Sequence, residues 1–232
     1  AVESVLVAFV AEDPLRAMQL AQENLSGPPL YRTLTAALQK LAPTDPAAAG
    51  AIVTLLPAGE TQMLGAIHVA RAFAERSPAE ALAWINTLPA GEMQQVALNS
   101  VLAVWTQHDA LAAGRHVATM PVGAAQNAAA DHYVRLVGAR EPTVTIAWAQ
   151  ALASESARNI ALITVGSVWA QHEPAAAAQW AATLPAGPTQ TGALAGAFSY
   201  WKQRDTAAAH AWLAAAHLPA ELKTRLTAGA AR

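Results

Sequence analysis

The sequence has no cysteine, and only 13% of its 232 residues are charged. Without cysteine the chain has neither a disulfide framework nor a thiol nucleophile, and it is compatible with an oxidising compartment without requiring one. The 14 Lys and Arg residues are spread singly among 16 acidic residues, which gives a formal net charge of −2. The chain therefore lacks the basic stripe that binding to nucleic acid needs. No apolar run is long enough to cross a bilayer, so we expect no membrane insertion.

Aromatic residues are also scarce, at 6% of the sequence, but the seven tryptophans are regularly placed. A pattern of 32 residues recurs along the chain, and its first residue falls at positions 14, 46, 78, 110, 142, 174 and 206. The tryptophans occupy only the seventh position of this repeat (Trp84, Trp148, Trp180, Trp212) and the twenty-eighth (Trp105, Trp169, Trp201). A period between about 20 and 50 residues is typical of stacked supersecondary units, so we expect a repeat array.

Each repeat is predicted to be a helical hairpin. In one repeat Ser77 is a good N-cap, and Pro78 fits the first helical position. Ala81 and Leu88 then lie on one face of the first helix, which ends at the proline and glycine that follow. The fourth position is alanine in every repeat except at Thr145, which indicates a close approach of two helices. The second helix ends in an arginine or histidine, which we expect to stabilise its negative end.

These signals predict an all-α protein, a right-handed α-solenoid of about seven 32-residue helix-turn-helix repeats. The array would form a single domain over residues 1–232. Within it, residues 1–13 would be a partial N-terminal helix, residues 14–216 the repeats, and residues 217–232 a C-terminal capping helix. The tryptophans are predicted to be buried wedges between neighbouring helices.

The repeat signature is W-A-x-x-D/E-P-x-A-A-x-x-W-x3-L-P-x-G, and hairpins of this kind stacked in register resemble the tetratricopeptide class of α-solenoids. That class usually has a different pattern and a slightly longer repeat. The signature is more similar to the Trp/Ala-rich helical repeats of uncharacterised bacterial proteins, over about residues 9–216. The tetratricopeptide-like resemblance implies a concave surface that binds a peptide or protein segment.

The sequence favours no catalytic centre. It contains no Gly-rich phosphate loop, no G-x-S-x-G elbow and no H-E-x-x-H metal helix, and its acidic residues are N-caps or are scattered over different repeats. His68 and His132 occupy the same repeat position, but two repeats separate them by roughly 20 Å, too far apart to share a metal ion. We therefore expect no enzymatic activity, no metal and no organic cofactor.

The remaining signal is a line of polar residues on the second helices, opposite their apolar face. We call it the polar strip. Its members are His68, Arg71, Glu75, Asn99, Ser100, Gln107, Asp131, His132, Arg135, Thr164, Ser167 and Gln171. The strip is open to two interpretations. It is either a solvated face stabilised by pairs such as Arg71–Glu75 and Asp131–Arg135, or a recognition surface whose mixed hydrogen-bonding character suits an extended peptide.

We accordingly expect a non-enzymatic, monomeric scaffold that binds a protein or peptide on its concave face. Two alternatives are left open: a superhelical accessory domain of a larger enzyme, such as a periplasmic cell-wall enzyme, and a structural, self-assembling repeat protein. A first residue other than Met slightly favours export, and both a periplasmic or secreted location and a cytoplasmic one stay possible.

Overall fold

The computed structural model describes residues 2–228, and over this range the protein is all-helical. In these residues 79% are in helices, of which there are fourteen, and none is in a strand. The chain divides into two compact units, Ala1–His108 and Asp109–Arg232, which are described separately.

The first unit contains six helices and the first part of a seventh. Their bounds are α1 Val2–Phe9, α2 Pro14–Asn24, α3 Gly27–Leu41, α4 Pro46–Val53, α5 Glu60–Arg76, α6 Pro78–Ile85 and α7 Glu92–Thr119. Helix α7 is interrupted at Asp109, whose φ of −149° and ψ of 82° are not helical. Asp13 and Asp45 have nearly the same backbone angles where α2 and α4 begin. The interruption is therefore the predicted corner between two repeats.

The second unit contains the rest of α7 and seven further helices. Their bounds are α8 Ala124–Val137, α9 Pro142–Gln150, α10 Glu155–Ala170, α11 Pro174–Ala182, α12 Pro188–Arg204, α13 Thr206–Ala215 and α14 Ala220–Ala228. Helix α14 lies where the C-terminal capping helix was predicted, and it buries Leu222 and Leu226. The remainder of the predicted cap, residues 229–232, and the first residue of the predicted N-terminal helix lie outside the described residues.

The predicted helix starts are confirmed, and the structure separates strong caps from weak ones. The side chains of Asp13, Asp45, Ser77, Asp109 and Asp205 each accept a hydrogen bond from the backbone N–H three residues later, at 2.8–3.3 Å. Glu141 and Glu173 occupy the same position and make no such bond. An extra methylene moves the glutamate oxygens away from the first turn, so these residues act at the helix start only through the helix dipole. The Glu173 carboxylate instead accepts a hydrogen bond from Trp169 Nε1 at 3.3 Å.

The fourth position of each repeat lies at the centre of the packing. The six alanines there are completely buried, and Thr145 is 2% exposed. Thr145 satisfies its hydroxyl by donating to the Glu141 carbonyl oxygen at 2.8 Å. The predicted close approach of helices at this position is therefore confirmed.

The tryptophans pack against other aromatic rings, in two cases against a second tryptophan, but the prediction that all are buried was wrong. Only Trp201 is buried, at 9% exposure, and the other six are partly exposed. A position-28 ring contacts the position-7 ring of the next repeat, as in Trp169–Trp180 with 6.1 Å between ring centroids and Trp201–Trp212 with 5.6 Å. In these two pairs each ring covers part of the other, and Trp169, Trp180 and Trp212 keep part of their surface in solvent.

A recurring glutamine in the first turn of the second helix caps the C-terminal end of the first helix. The sequence reasoning missed this feature. Gln62, Gln94 and Gln126 stand at the same position of three repeats, and each donates its Nε2 to the carbonyl oxygen nine residues earlier, at 3.1–3.2 Å. Gln190 donates in the same way to Ala182 and Leu184. Arg158 replaces glutamine in the repeat that has neither proline nor glycine at its corner, and donates to the Leu152 carbonyl at 2.7 Å. These side chains satisfy carbonyl groups that a helix end would leave unpaired.

Arginines at the end of the second helices were expected to stabilise their own helix end. Arg140 does so, because its Nη2 donates to the Leu136 carbonyl of its own helix at 3.4 Å. By contrast, Arg76 Nη1 donates to the Thr44 carbonyl at 3.5 Å, and Arg204 Nη1 donates to the His172 carbonyl at 3.2 Å. Each acceptor lies 32 residues earlier, at the corner of the preceding repeat. The cation therefore compensates the negative end of a neighbouring helix and ties successive repeats together.

Candidate functional site

Three residues of the polar strip, His68, Arg71 and Glu75, lie exposed on α5 and face α3 across a groove in the first unit. The larger compartment of this groove has a volume of about 510 Å³. Its lining residues are Pro28, Tyr31, Arg32, Thr35, Ala36, Leu38, Gln39, Pro57, Thr61, Leu64, Gly65 and His68. A smaller compartment of about 280 Å³ is lined by Gln39, Ala42, Pro43, His68, Arg71, Ala72 and Glu75. Both compartments are lined by Gln39 and His68, so they adjoin each other, and we call the two together the α3–α5 groove.

The α3 side of the groove was missed by the sequence reasoning. Arg32 and Gln39 occupy repeat positions 19 and 26, the same positions as Leu64 and Arg71 on α5. The strip therefore begins one repeat earlier than predicted. The available signal was the periodicity itself, which extends to the irregular first repeat.

The two compartments differ in character. Proline, tyrosine and leucine side chains dominate the larger one, and Leu64 in it is 49% exposed although it is aliphatic. The smaller compartment is lined by Arg71 and Glu75, whereas Arg32 lines the larger one and His68 lines both. A pocket lined mainly by apolar side chains with a few convergent polar groups is typical of binding sites.

The two arginines of the groove are in different electrostatic states. Arg32 on α3 forms a bidentate pair with Glu3 on α1, with distances of 2.6 Å from Nε to Oε1 and 3.0 Å from Nη2 to Oε2. The hydrogen bonds from Arg32 lower the pKa of the Glu3 carboxyl. Within residues 2–228, Arg71 has no hydrogen bond and no ion pair, so the predicted Arg71–Glu75 pair is absent. An arginine that precedes a glutamate by four residues is the less favourable orientation on a helix.

The strip residues on the first part of α7 make hydrogen bonds within their own helix. Ser100 donates to the Val96 carbonyl at 3.0 Å, and Gln107 donates to the Ala103 carbonyl at 3.0 Å. Asn99 accepts from Gln95 at 3.0 Å. These residues line neither compartment of the groove.

In the second unit three strip residues form a compact network. Arg135 donates to both Asp131 oxygens, at 2.8 and 3.1 Å, so the predicted Asp131–Arg135 pair is confirmed. The buried Thr164 on α10 donates to Asp131 Oδ1 at 2.6 Å and links α10 to α8. Burial alone would raise the pKa of Asp131, but the hydrogen bonds from Arg135 and Thr164 outweigh it and lower this pKa. Thr164 thus lies in the packing between two helices and not on an open surface.

Another strip residue of this unit, Ser167, lies where α10 packs tightly against α12. Helices α10 and α12 approach so closely that a Cβ at Gly166 would lie 2.6 Å from the Ala193 carbonyl oxygen. A Cβ at Gly196 would lie 2.9 Å from the Ser167 Cβ. Ser167 bonds to its own helix, through the Thr164 carbonyl at 2.9 Å. His132 is half-buried and Gln171 is exposed.

A separate, shallow depression of about 700 Å³ lies beside the N-terminal ends of α8 and α10. Val122, which is 75% exposed, and Ser156 are among its lining residues. Ser156 accepts a hydrogen bond from Asn127 at 2.8 Å. This depression contains no strip residue.

Within residues 2–228, no cluster of three or more His, Asp or Glu side chains is placed to hold a metal ion. Over the same range, no helix combines the length and apolar character that a membrane crossing requires. No protein-family model, curated protein or solved structure matches this chain.

Proposed function

We propose that this chain is a non-enzymatic, tetratricopeptide-like α-solenoid that binds a peptide segment of another protein in the α3–α5 groove. The observation that carries the proposal is the lining of this groove, where an apolar compartment adjoins a polar one that contains an unpaired arginine. Such a lining provides contacts for an apolar side chain and for polar groups of an extended chain.

Packing in the second unit supports locating the site in the first. There, Asp131 neutralises Arg135 and bonds to Thr164, and α10 lies against α12 without an intervening space. Binding would require these contacts to break. In the first unit, Arg71 stands at the same repeat position as Arg135 and makes no such contact among the described residues, so a peptide can bind there without breaking one.

A random linear peptide library displayed on phage tests the proposal with the purified chain. Leu64→Glu places a charge in the apolar compartment, and Val144→Glu is the matched control, because Val144 is an exposed aliphatic residue on α9. We expect wild type and Val144→Glu to select and bind the same peptides. Leu64→Glu should weaken their binding by about tenfold or more, which corresponds to the loss of one well-packed anchor. Equal binding by Leu64→Glu, or failure of any library to yield a binder, would contradict the proposal.

A second candidate function, self-assembly, is favoured by the outer face of α1. Val2 and Val5 stand at repeat positions 21 and 24, and they are 54% and 67% exposed. In α3 the same positions hold Leu34 and Ala37, which are 1% and 0% exposed. Apolar residues with core spacing that face solvent mark interaction surfaces.

Sedimentation velocity over a range of protein concentrations tests self-assembly. If α1 mediates it, the wild-type mass should rise with concentration and the mass of Val5→Lys should not. A wild-type chain that stays monomeric at every concentration would exclude this candidate.

A further inference from the structure

We propose that the partner segment in the α3–α5 groove carries one bulky apolar side chain and, close to it along the chain, a single Asp or Glu side chain. This inference rests on the proposed function and specifies the partner chemistry for the same site. It commits to an internal segment, because both compartments open to solvent along the groove and a chain can enter and leave them.

The apolar anchor follows from the larger compartment. Pro28, Tyr31, Pro57 and Leu64 present ring and aliphatic surface there, and a volume of about 510 Å³ accommodates a large side chain. Leu64 gains most from such an anchor, because about half of its surface is in water when the groove is empty. Burial of this apolar surface supplies affinity without directional contacts.

The acidic residue follows from a comparison of two equivalent arginines. Arg71 and Arg135 occupy the same repeat position, 64 residues apart. Arg135 is neutralised by Asp131, four residues earlier, whereas the residue four before Arg71 is Ile67. Arg71 therefore presents an unpaired guanidinium to the smaller compartment. A guanidinium binds carboxylate and phosphate groups through two parallel hydrogen bonds, and among the unmodified side chains of a peptide only Asp and Glu carry such a group.

Glu75 limits the partner segment to one acidic residue in this compartment. It lines the same compartment as Arg71, and within the described part of the chain it too has no hydrogen bond or ion pair. A second carboxylate in this compartment would approach Glu75 and be repelled. Because His68 and Gln39 line both compartments, the acidic residue and the apolar anchor are expected within about three residues of each other in an extended chain.

The experiment uses the same displayed library and then one selected peptide, labelled with a fluorophore, in anisotropy titrations. The selected sequences should share a Leu, Met, Phe or Trp with one nearby Asp or Glu. Arg71→Gln should weaken binding by about ten- to a hundredfold, as expected for the loss of one charge-assisted hydrogen-bonded pair. Replacing the acidic residue of the peptide by its amide, Asn or Gln, should weaken binding to wild type by the same factor. The same replacement should not weaken binding to Arg71→Gln any further.

Two further variants make the test specific. Ile67→Asp rebuilds the Asp131–Arg135 arrangement around Arg71, so it should weaken binding as much as Arg71→Gln while retaining the arginine. Glu75→Gln should strengthen binding and admit peptides with two adjacent acids. Arg135→Gln is the matched control in the second unit and should leave affinity unchanged. If Ile67→Asp reduces helicity, the Arg71→Gln titration decides alone.

The outcomes separate this inference from the proposed function. Peptides that depend on Leu64 but carry no acid, or that are enriched in Lys and Arg, would overturn the inference and leave peptide binding intact. Equal affinity of the acid and amide peptides for wild type would overturn it as well. A library that yields no binder would contradict the proposed function itself.

Discussion

The substitution Gly166→Ala tests how closely α10 and α12 pack beside Ser167 of the polar strip. A methyl group at this position would lie 2.6 Å from the Ala193 carbonyl oxygen and 2.9 Å from its Cα. Ordinary contacts are about 3.5 Å or longer, so the helices would have to separate by roughly 1 Å. Neither contacting atom belongs to a side chain that can rotate away.

The expected magnitude is the sum of two opposing effects. Alanine stabilises a helix interior by about 1 kcal/mol relative to glycine, and overpacking a rigid contact costs about 1–3 kcal/mol. Because the obstacle is backbone, we expect a cost near the upper value and a net loss of about 2 kcal/mol in the free energy of unfolding.

Gly192→Ala on α12 is the matched control, because it gives the same gain in helix propensity. Its methyl would meet side-chain atoms of Ile163 at 3.0–3.2 Å, which can move by a small rotation. This variant should unfold within about 1 kcal/mol of wild type. Urea denaturation followed by far-UV circular dichroism compares the three proteins. If the Gly166→Ala variant is as stable as the Gly192→Ala variant, the tight packing of α10 against α12 is refuted.

Three further predictions concern caps, charge and aromatic packing. Gln190→Leu should lower the free energy of unfolding by about 1–3 kcal/mol in urea denaturation, because buried carbonyls lose their donor, and an unchanged midpoint would contradict the capping role. Since the pKa of Asp131 is lowered from its ordinary value of 3.8, its contribution to stability should be complete above about pH 4 and lost as the pH falls through the lowered pKa. Denaturation midpoints of wild type should therefore decline more steeply with acid than those of Asp131→Asn, and parallel curves would refute this contribution. Trp201→Ala should lower the free energy of unfolding by about 3–5 kcal/mol. The same substitution at the partly exposed Trp169 should cost less, and the reverse order would contradict the difference in burial between the two rings.

The helices of this fold could be predicted because their start signals are local. Asp45 and Pro46 specify a cap and a first turn whatever lies around them, and the buried alanine at the fourth position repeats with the helices. The glutamine caps could have been found from their recurrence at one repeat position. Their acceptors could not, because a glutamine can reach many groups and only the folded corner shows which carbonyls need a donor.

The candidate site was only half predictable for a different reason. An i,i+4 rule treats Arg71–Glu75 and Asp131–Arg135 as similar pairs, but the order of the charges decides which of them forms. The opening between α3 and α5 depends on the spacing of these two helices, which involves contacts between residues distant along the chain, such as Gly65 on α5 and Leu38 on α3. Periodicity therefore located the polar positions without showing which of them stay open.

The most direct test of the central claim is hydrogen–deuterium exchange of the full chain with and without a library-selected peptide, read by mass spectrometry. Peptide binding in the α3–α5 groove should slow the exchange of amides in Gly27–Leu41 and Glu60–Arg76, because a bound chain suppresses local opening of both helices. It should leave exchange in Glu155–Ala170 and Pro188–Arg204 unchanged. Protection confined to these last two helices, with α3 and α5 unaffected, would contradict the assignment of the binding site.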